Sequence, residues 1–206
     1  MRAVMLATVL GAAGGRAPAS AQEPTLPRDT ISSVVVGPQQ TAQVTITYGR
    51  PLAAGRTILG QVIPFGVPSM LGAVRTADLR TFTPLQIGGL RIFAGTYALW
   101  ALATPAGALL IVNRITGTGS APYDSSAEVG RVRLAWDTLP DPVDEFTIAF
   151  RRGRFAPDEV GTIMSRDGTR ETMVIHSGIA VSLEIRWDRF RWTVPLMAPD
   201  SLKHRP

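Results

Sequence analysis

The chain contains no cysteine. Disulfides, thiolate metal ligands and a cysteine nucleophile are therefore excluded, as is the acylated cysteine of a bacterial lipoprotein. Histidine is nearly as scarce: His204 lies near the C-terminus, which leaves only His176 inside the main body of the chain. One imidazole without thiolates is too few ligands for a typical zinc site, and a solitary histidine near Gly178 reads as a turn or edge residue. The sequence has no D-x-D-x-D-G calcium loop, no G-x-S-x-G elbow and no G-x-x-x-x-G-K-[ST] phosphate loop. No metal or organic cofactor is expected. Lysine occurs once, at Lys203, so the cationic charge is almost all guanidinium. No apolar run reaches the roughly 20 residues that cross a bilayer as a helix. No segment carries a long helical stripe either.

The N-terminus has its own character. Met1-Arg2 is a short basic start, residues 3–13 form an apolar run, and Ala19-Ser20-Ala21 is an A-x-A site before Gln22. That pattern predicts a cleavable secretory signal over residues 1–21, cut between Ala21 and Gln22. The expected location is the periplasm or the exterior, with no membrane anchor after cleavage. Removing 21 of 206 residues leaves 185, enough for one domain with a proper core. Residues 22–30, with Pro24 and Pro27, read as a flexible lead-in, residues 31–197 as the domain, and residues 198–206 as a disordered tail.

The formal net charge of +5 falls when Arg2 and Arg16 leave with the signal, to 19 basic against 16 acidic residues. The arginines are scattered between acids, as on an ordinary arginine-rich surface. A nucleic-acid partner is not expected.

What the chain has in quantity is period-two alternation. Val44, Ile46 and Tyr48 alternate with threonines; Val132, Leu134 and Trp136 alternate with Arg131, Arg133 and Ala135; Phe146, Ile148 and Phe150 form a third such set. Each predicts a strand with one apolar face. Residues 96–102 (TYALWAL) and 108–112 (ALLIV) predict strands buried on both faces, joined by a turn at Thr104-Pro105-Ala106-Gly107. Short strands between Gly/Pro turns predict an all-β fold, a single antiparallel β-sandwich or a partly closed barrel.

Near the C-terminus Ile179, Val181, Leu183, Ile185 and Trp187 share one parity, and Phe190, Trp192, Val194 and Leu196 share the other. A hairpin with an even loop at Asp188-Arg189 would bring both sets to one face, pairing Ile185 with Trp192. Residues 152–177 predict an added hairpin at the sandwich edge, turning at Asp167-Gly168 between residues 160–164 and 172–175.

Residues 44–66 (VTITYGRPLAAGRTILGQVIPFG) join a strand to a glycine- and proline-broken connector. Tyr48-Gly49-Arg50-Pro51, then Gly55-Arg56-Thr57-Ile58-Leu59-Gly60, then Pro64-Phe65-Gly66 resemble the successive motifs of the bacterial domain-of-unknown-function family 2911. Further along, Ile87-Gly88-Gly89, Phe93-Ala94-Gly95-Thr96-Tyr97, residues 108–114, Tyr123-Asp124, residues 142–150 and residues 183–196 are similar to elements of that family in the same order. The resemblance implies a secreted or periplasmic protein with no assigned activity. Residues 69–74 (SMLGAV) depart from it. They keep Gly72-Ala73 but lack the family's tryptophan, asparagine and acid, so a ligand site built from that segment in relatives would be altered here. Relative to the family, residues 152–177 also read as an insertion.

Tyr48, Arg50 and Arg56 are the candidate ligand-binding residues, since a guanidinium pair beside a phenol suits a carboxylate, phosphate or sugar. The competing structural reading has the guanidiniums bonding loop carbonyls or acids and pinning the connector. Asp137, Asp141, Asp144 and Glu145 cluster around Pro140 and Pro142, in what reads as a connector between strands. The expected function is a non-catalytic module that binds a small ligand or an envelope component. The alternative is an envelope glycan hydrolase using a carboxylate pair from that acidic cluster. The sequence does not set the oligomeric state.

Overall fold

A computed structural model describes residues 28–36, 40–117, 119, 122–153, 159–164, 170–175 and 181–199. In chain order the strands are β1 (Arg28–Val36), β2 (Thr41–Gly49), β3 (Pro68–Met70), β4 (Ala77–Thr81), β5 (Leu85–Ile87) and β6 (Leu90–Ile92). They continue with β7 (Gly95–Thr104), β8 (Gly107–Asn113), β9 (Glu128–Arg152), β10 (Glu159–Met164), β11 (Arg170–Ile175) and β12 (Val181–Met197). A 3-10 turn at Ser125–Ala127 is capped by Asp124, and no α-helix occurs among the described residues.

All twelve strands join one sheet in the order β10-β11-β1-β2-β4-β7-β8-β9-β12-β5-β6, with β3 beside β4 on the same edge of β7. Every pairing is antiparallel except β1 with β11. The sheet does not close into a barrel; it doubles back on itself. The device that turns it is β9, whose residues 128–134 pair with β8 while residues 135–152 pair with β12. One wall thus runs from β10 to the start of β9, and the other from the end of β9 to β6. The core lies between them. Val44, Ile46 and Tyr48 of β2 belong to one buried cluster with Phe146, Ile148 and Phe150 of β9 and with the apolar residues of β12.

The β7–β8 hairpin follows the sequence reading. Thr104 pairs with Gly107 across Pro105-Ala106, and both faces are covered. Tyr97, Leu99, Ala101 and Ala103 enter the main core, while Ala98, Trp100 and Ile111 form a smaller cluster on the outer face. Tyr123 covers that cluster, its ring 5.1 Å from Trp100 in an edge-on contact.

Gly88 shows why a glycine opens the β5–β6 turn. Its φ is +55°, and a Cβ there would stand 2.5 Å from a methyl of Val132. Gly72 is equally constrained, at φ +105° with the Arg75 carbonyl 2.7 Å from where a Cβ would be. Its neighbour Ala73 packs on Gly49, so the Gly72-Ala73 pair is fixed by close backbone approach.

Three expectations need correction. No C-terminal hairpin forms at Asp188-Arg189. Residues 181–197 are one continuous strand, and Ile185 pairs with Ile148 while Trp192 pairs with Trp136, both on β9. The parity switch is real but comes from a bulge: Asp188, at φ +49°, interrupts the register between Arg186 and Phe190. A bulge shifts side-chain parity by one as an even loop would, so Ile185, Trp187, Phe190 and Trp192 all still face the core. Second, residues 137–145 are not a connector between separate strands but the bulged middle of β9. Its partner residues jump from Thr138 to Val143 while β12 advances from Phe190 back to Asp188. Third, β1 begins at Arg28, inside the segment read as a lead-in. Arg28-Asp29-Thr30 gives no apolar alternation, yet it pairs with β2 from Gly49 to Thr47.

The hairpin expected within residues 152–177 sits at the sheet edge, with β10 and β11 antiparallel and β11 docked on β1. Its turn at Asp167-Gly168, and His176, lie outside the described residues.

Candidate functional site

The connector after β2 is fastened along its length. The Phe146 amide donates to the Pro51 carbonyl at 2.9 Å, and the Ala53 amide to the Asp144 carbonyl at 2.6 Å. The Ala54 amide donates to Asp144 Oδ1 at 2.8 Å. Ala54 and Gly55 are both left-handed, at φ +49° and +75°, which reverses the chain there. Further on, Leu59 bridges Ile63, and Ile58 and Ile63 bury their side chains.

The three predicted residues have different fates. The Tyr48 ring is buried, edge-on to Phe146 at 5.9 Å, and its hydroxyl donates to the Ile148 carbonyl at 3.0 Å. Arg50 is largely buried between two acids: Nη1 is 3.0 Å from Asp29 Oδ2, and Nη2 pairs with Glu145 Oε2. These contacts tie β1, the connector and β9 together. Arg56 is exposed, and its Nε donates to the Ala53 carbonyl at 3.0 Å and its Nη2 to the Leu52 carbonyl at 2.6 Å. Its Nη1 has no hydrogen-bond partner among the described residues. The structural reading of the guanidiniums therefore holds for their contacts, and Tyr48, Arg50 and Arg56 do not converge on one point.

Arg56 nevertheless stands at a cleft of about 470 Å³. The connector supplies Pro51, Arg56, Val62 and Ile63 to one side; residues 69–74 supply Ser69, Met70, Gly72, Ala73 and Val74 to another; Trp187 of β12 is the third. The Trp187 indole N–H donates to the Asp144 carbonyl at 3.1 Å, which fixes the ring against the bulge of β9. Trp187 and residues 69–74 are what sequence reasoning missed as site components. Residues 69–74, which depart from the family pattern in sequence, form a wall that carries no acid.

The acidic cluster is dispersed among separate partners. Asp137 pairs with Arg191, Asp144 accepts from Ala54, and Glu145 pairs with Arg50. Asp144 and the bulge residue Asp188 line a second opening of about 400 Å³ on the other flank of Arg56. No group of three or more metal-ligating side chains occurs among the described residues.

Two other polar clusters are structural. Arg28 donates to the Thr47 and Thr76 carbonyls, both at 2.9 Å, and lies 3.7 Å from Asp78; burial lowers its pKa, partly opposed by Asp78. On the outer face the Tyr123 hydroxyl donates to Glu128 Oε2 at 2.5 Å, while Arg131 grips both oxygens of Glu128 at 2.8 and 2.9 Å. Burial first, and the Glu128 contact second, push the Tyr123 phenol up to about 12. The Arg131 hydrogen bonds hold the Glu128 carboxyl below its ordinary value.

The family model described as a protein of unknown function, DUF2911, matches residues 27–173, well over half of the chain. The match ends within β11 and stops before β12. No curated protein and no solved structure matches the chain.

Proposed function

The chain belongs to the DUF2911 family, and we propose that it is an exported, non-catalytic module that binds a small ligand in the cleft between the connector, residues 69–74 and Trp187. The observation that carries this reading is the state of Arg56. Two backbone carbonyls hold its guanidinium in place, yet its Nη1 pairs with no described residue, and the side chain lines a mostly apolar cavity. A charged donor fixed in advance loses little freedom on binding, which is how a pocket combines an apolar body with one orienting polar group. Export is supported by the basic start, the apolar run and the A-x-A site of residues 1–21. The dispersal of Asp137, Asp144 and Glu145 among separate partners favours binding over carboxylate-pair hydrolysis.

The test is retention of a small molecule. The purified protein is incubated with envelope extract, desalted, and weighed intact by native mass spectrometry beside Val74→Trp, which fills the cleft from its wall. An added mass on the wild type that is absent from the variant is expected. Equal retention by both proteins, or none by either, would overturn the reading.

A further inference from the structure

The cleft is electrically one-sided. Among the described residues lining it, Arg56 alone carries a charge. No carboxylate of a described residue pairs with Arg56, whereas Arg50 a few residues earlier is matched by Asp29 and Glu145.

The other side-chain donors in the cleft are already committed. The Trp187 N–H is used by the Asp144 carbonyl, and the Ser69 hydroxyl donates to the Val67 carbonyl at 3.2 Å. Ser69 can still accept, but it has no second proton to give. Arg56 is thus the remaining side-chain donor, through both N–H groups of Nη1 and the second N–H of Nη2. The rest of the lining offers hydrocarbon from Met70, Val74 and Ile63 and the ring of Trp187.

A polyhydroxyl ligand such as a sugar would lose its hydration against these walls and find few side-chain partners. A phosphate dianion would find a single guanidinium where it usually takes several donor groups. An apolar body bearing a single anionic head satisfies both features of the cleft at once: the head meets the free nitrogen, and the body covers Val74 and Trp187.

We infer that the ligand is an organic monocarboxylate with an apolar body, its carboxylate on Arg56 Nη1. This rests on the ligand-binding reading above and narrows it to one chemical class.

The experiment uses two probes with the same apolar body, 2-naphthoate and the uncharged 2-naphthylmethanol, titrated calorimetrically into the purified protein. The wild type should bind naphthoate more tightly. Arg56→Gln should weaken naphthoate roughly tenfold or more, the worth of one charge-assisted hydrogen bond, and change naphthylmethanol less than about twofold. Because Arg56 also fastens the connector, Ser69→Glu is the second variant. It leaves the Leu52 and Ala53 contacts intact and sets a like charge on the opposite wall, so it should produce the same selective loss.

Equal binding of both probes, unmoved by either variant, overturns the monocarboxylate assignment while leaving a ligand cleft in place. Binding of neither probe also overturns it. The extract experiment with Val74→Trp then decides separately whether the cleft binds anything.

Discussion

The hydroxyl of Tyr48 reaches across the core to the carbonyl of Ile148, 3.0 Å away and 100 residues further along the chain. It ties the two walls of the folded sheet at their centre. Tyr48→Phe keeps the ring against Phe146 and removes that bond, so it should cost about 1–2 kcal/mol in urea melts, the price of one buried donor. Ligand binding should follow only the folded fraction. Unchanged stability with lost binding would place Tyr48 in a site after all.

Arg50 and Arg56 should separate cleanly. Arg50→Ala uncouples Asp29 and Glu145 from the connector and should cost about 2–3 kcal/mol. That is below the toll of breaking a fully buried pair, because the Glu145 side chain is 39% exposed. Arg56→Ala gives up one bond to the carbonyl of exposed Leu52 and one to that of buried Ala53, which still accepts from the backbone amide of residue 56, and should cost about 1 kcal/mol. Parallel chemical denaturation of the two variants reads the difference, and a larger loss for Arg56 would reverse the assignment.

The bulge in β12 makes a sharper prediction. Deleting Arg189 leaves Ile185, Trp187, Phe190, Trp192, Val194 and Leu196 in one simple alternation, so a regular strand carries them all on the core face and the variant should still fold without the bulge. Asp188→Gly should be tolerated at φ +49°, whereas Asp188→Val should cost about 1–3 kcal/mol. Trp192→Ala, emptying a fully buried site, should cost about 3–5 kcal/mol. Circular dichroism melts of the four variants check all of these.

Tyr123 predicts an alkaline limit. Its phenol holds the proton more tightly in the folded protein, at about 12 against an ordinary 10.0. The folded state therefore binds more protons than the unfolded state between those values, and stability falls as pH rises from about 10 towards 12. Below pH 10 the contribution is intact. Tyr123→Phe should flatten that decline in melting temperature, at some cost at neutral pH from the lost Glu128 bond.

Export is checked by Edman sequencing of protein recovered from cells. The mature chain should begin at Gln22, and full-length protein in the cytoplasm would refute the location.

The strands were legible where one apolar face repeats with period two, as at Val44, Ile46 and Tyr48, because the alternation is set within the segment itself. The doubly covered β7–β8 hairpin was legible from unbroken apolar runs and a Pro-Ala turn. The path of β12 was not. An even hairpin loop and a single bulge shift parity identically, and only the distant partner β9 decides between them. The acids around Pro140 looked like a connector for the same reason: their pairing runs to residues about 50 positions later. Arg50 and Arg56 were legible as candidates, but their division of labour depends on Asp29 and Glu145, far apart in sequence. The cleft draws on three separate stretches, and Trp187 could not be assigned to it from its own neighbours.

Because β9 and β12 build the second wall, a chain growing from its N-terminus makes β1 to β8 long before anything can cover them. Val44, Ile46 and Tyr48 must wait for Phe146 and Ile148, and β1 has no neighbour on its far side until β11 emerges. No early segment can therefore fold and wait. Folding is a late, cooperative event dominated by distant pairings, which are slow to form. A nascent chain stopped before β12 would present an open apolar wall and the unpaired edge of β9, and would persist only while something else shields them.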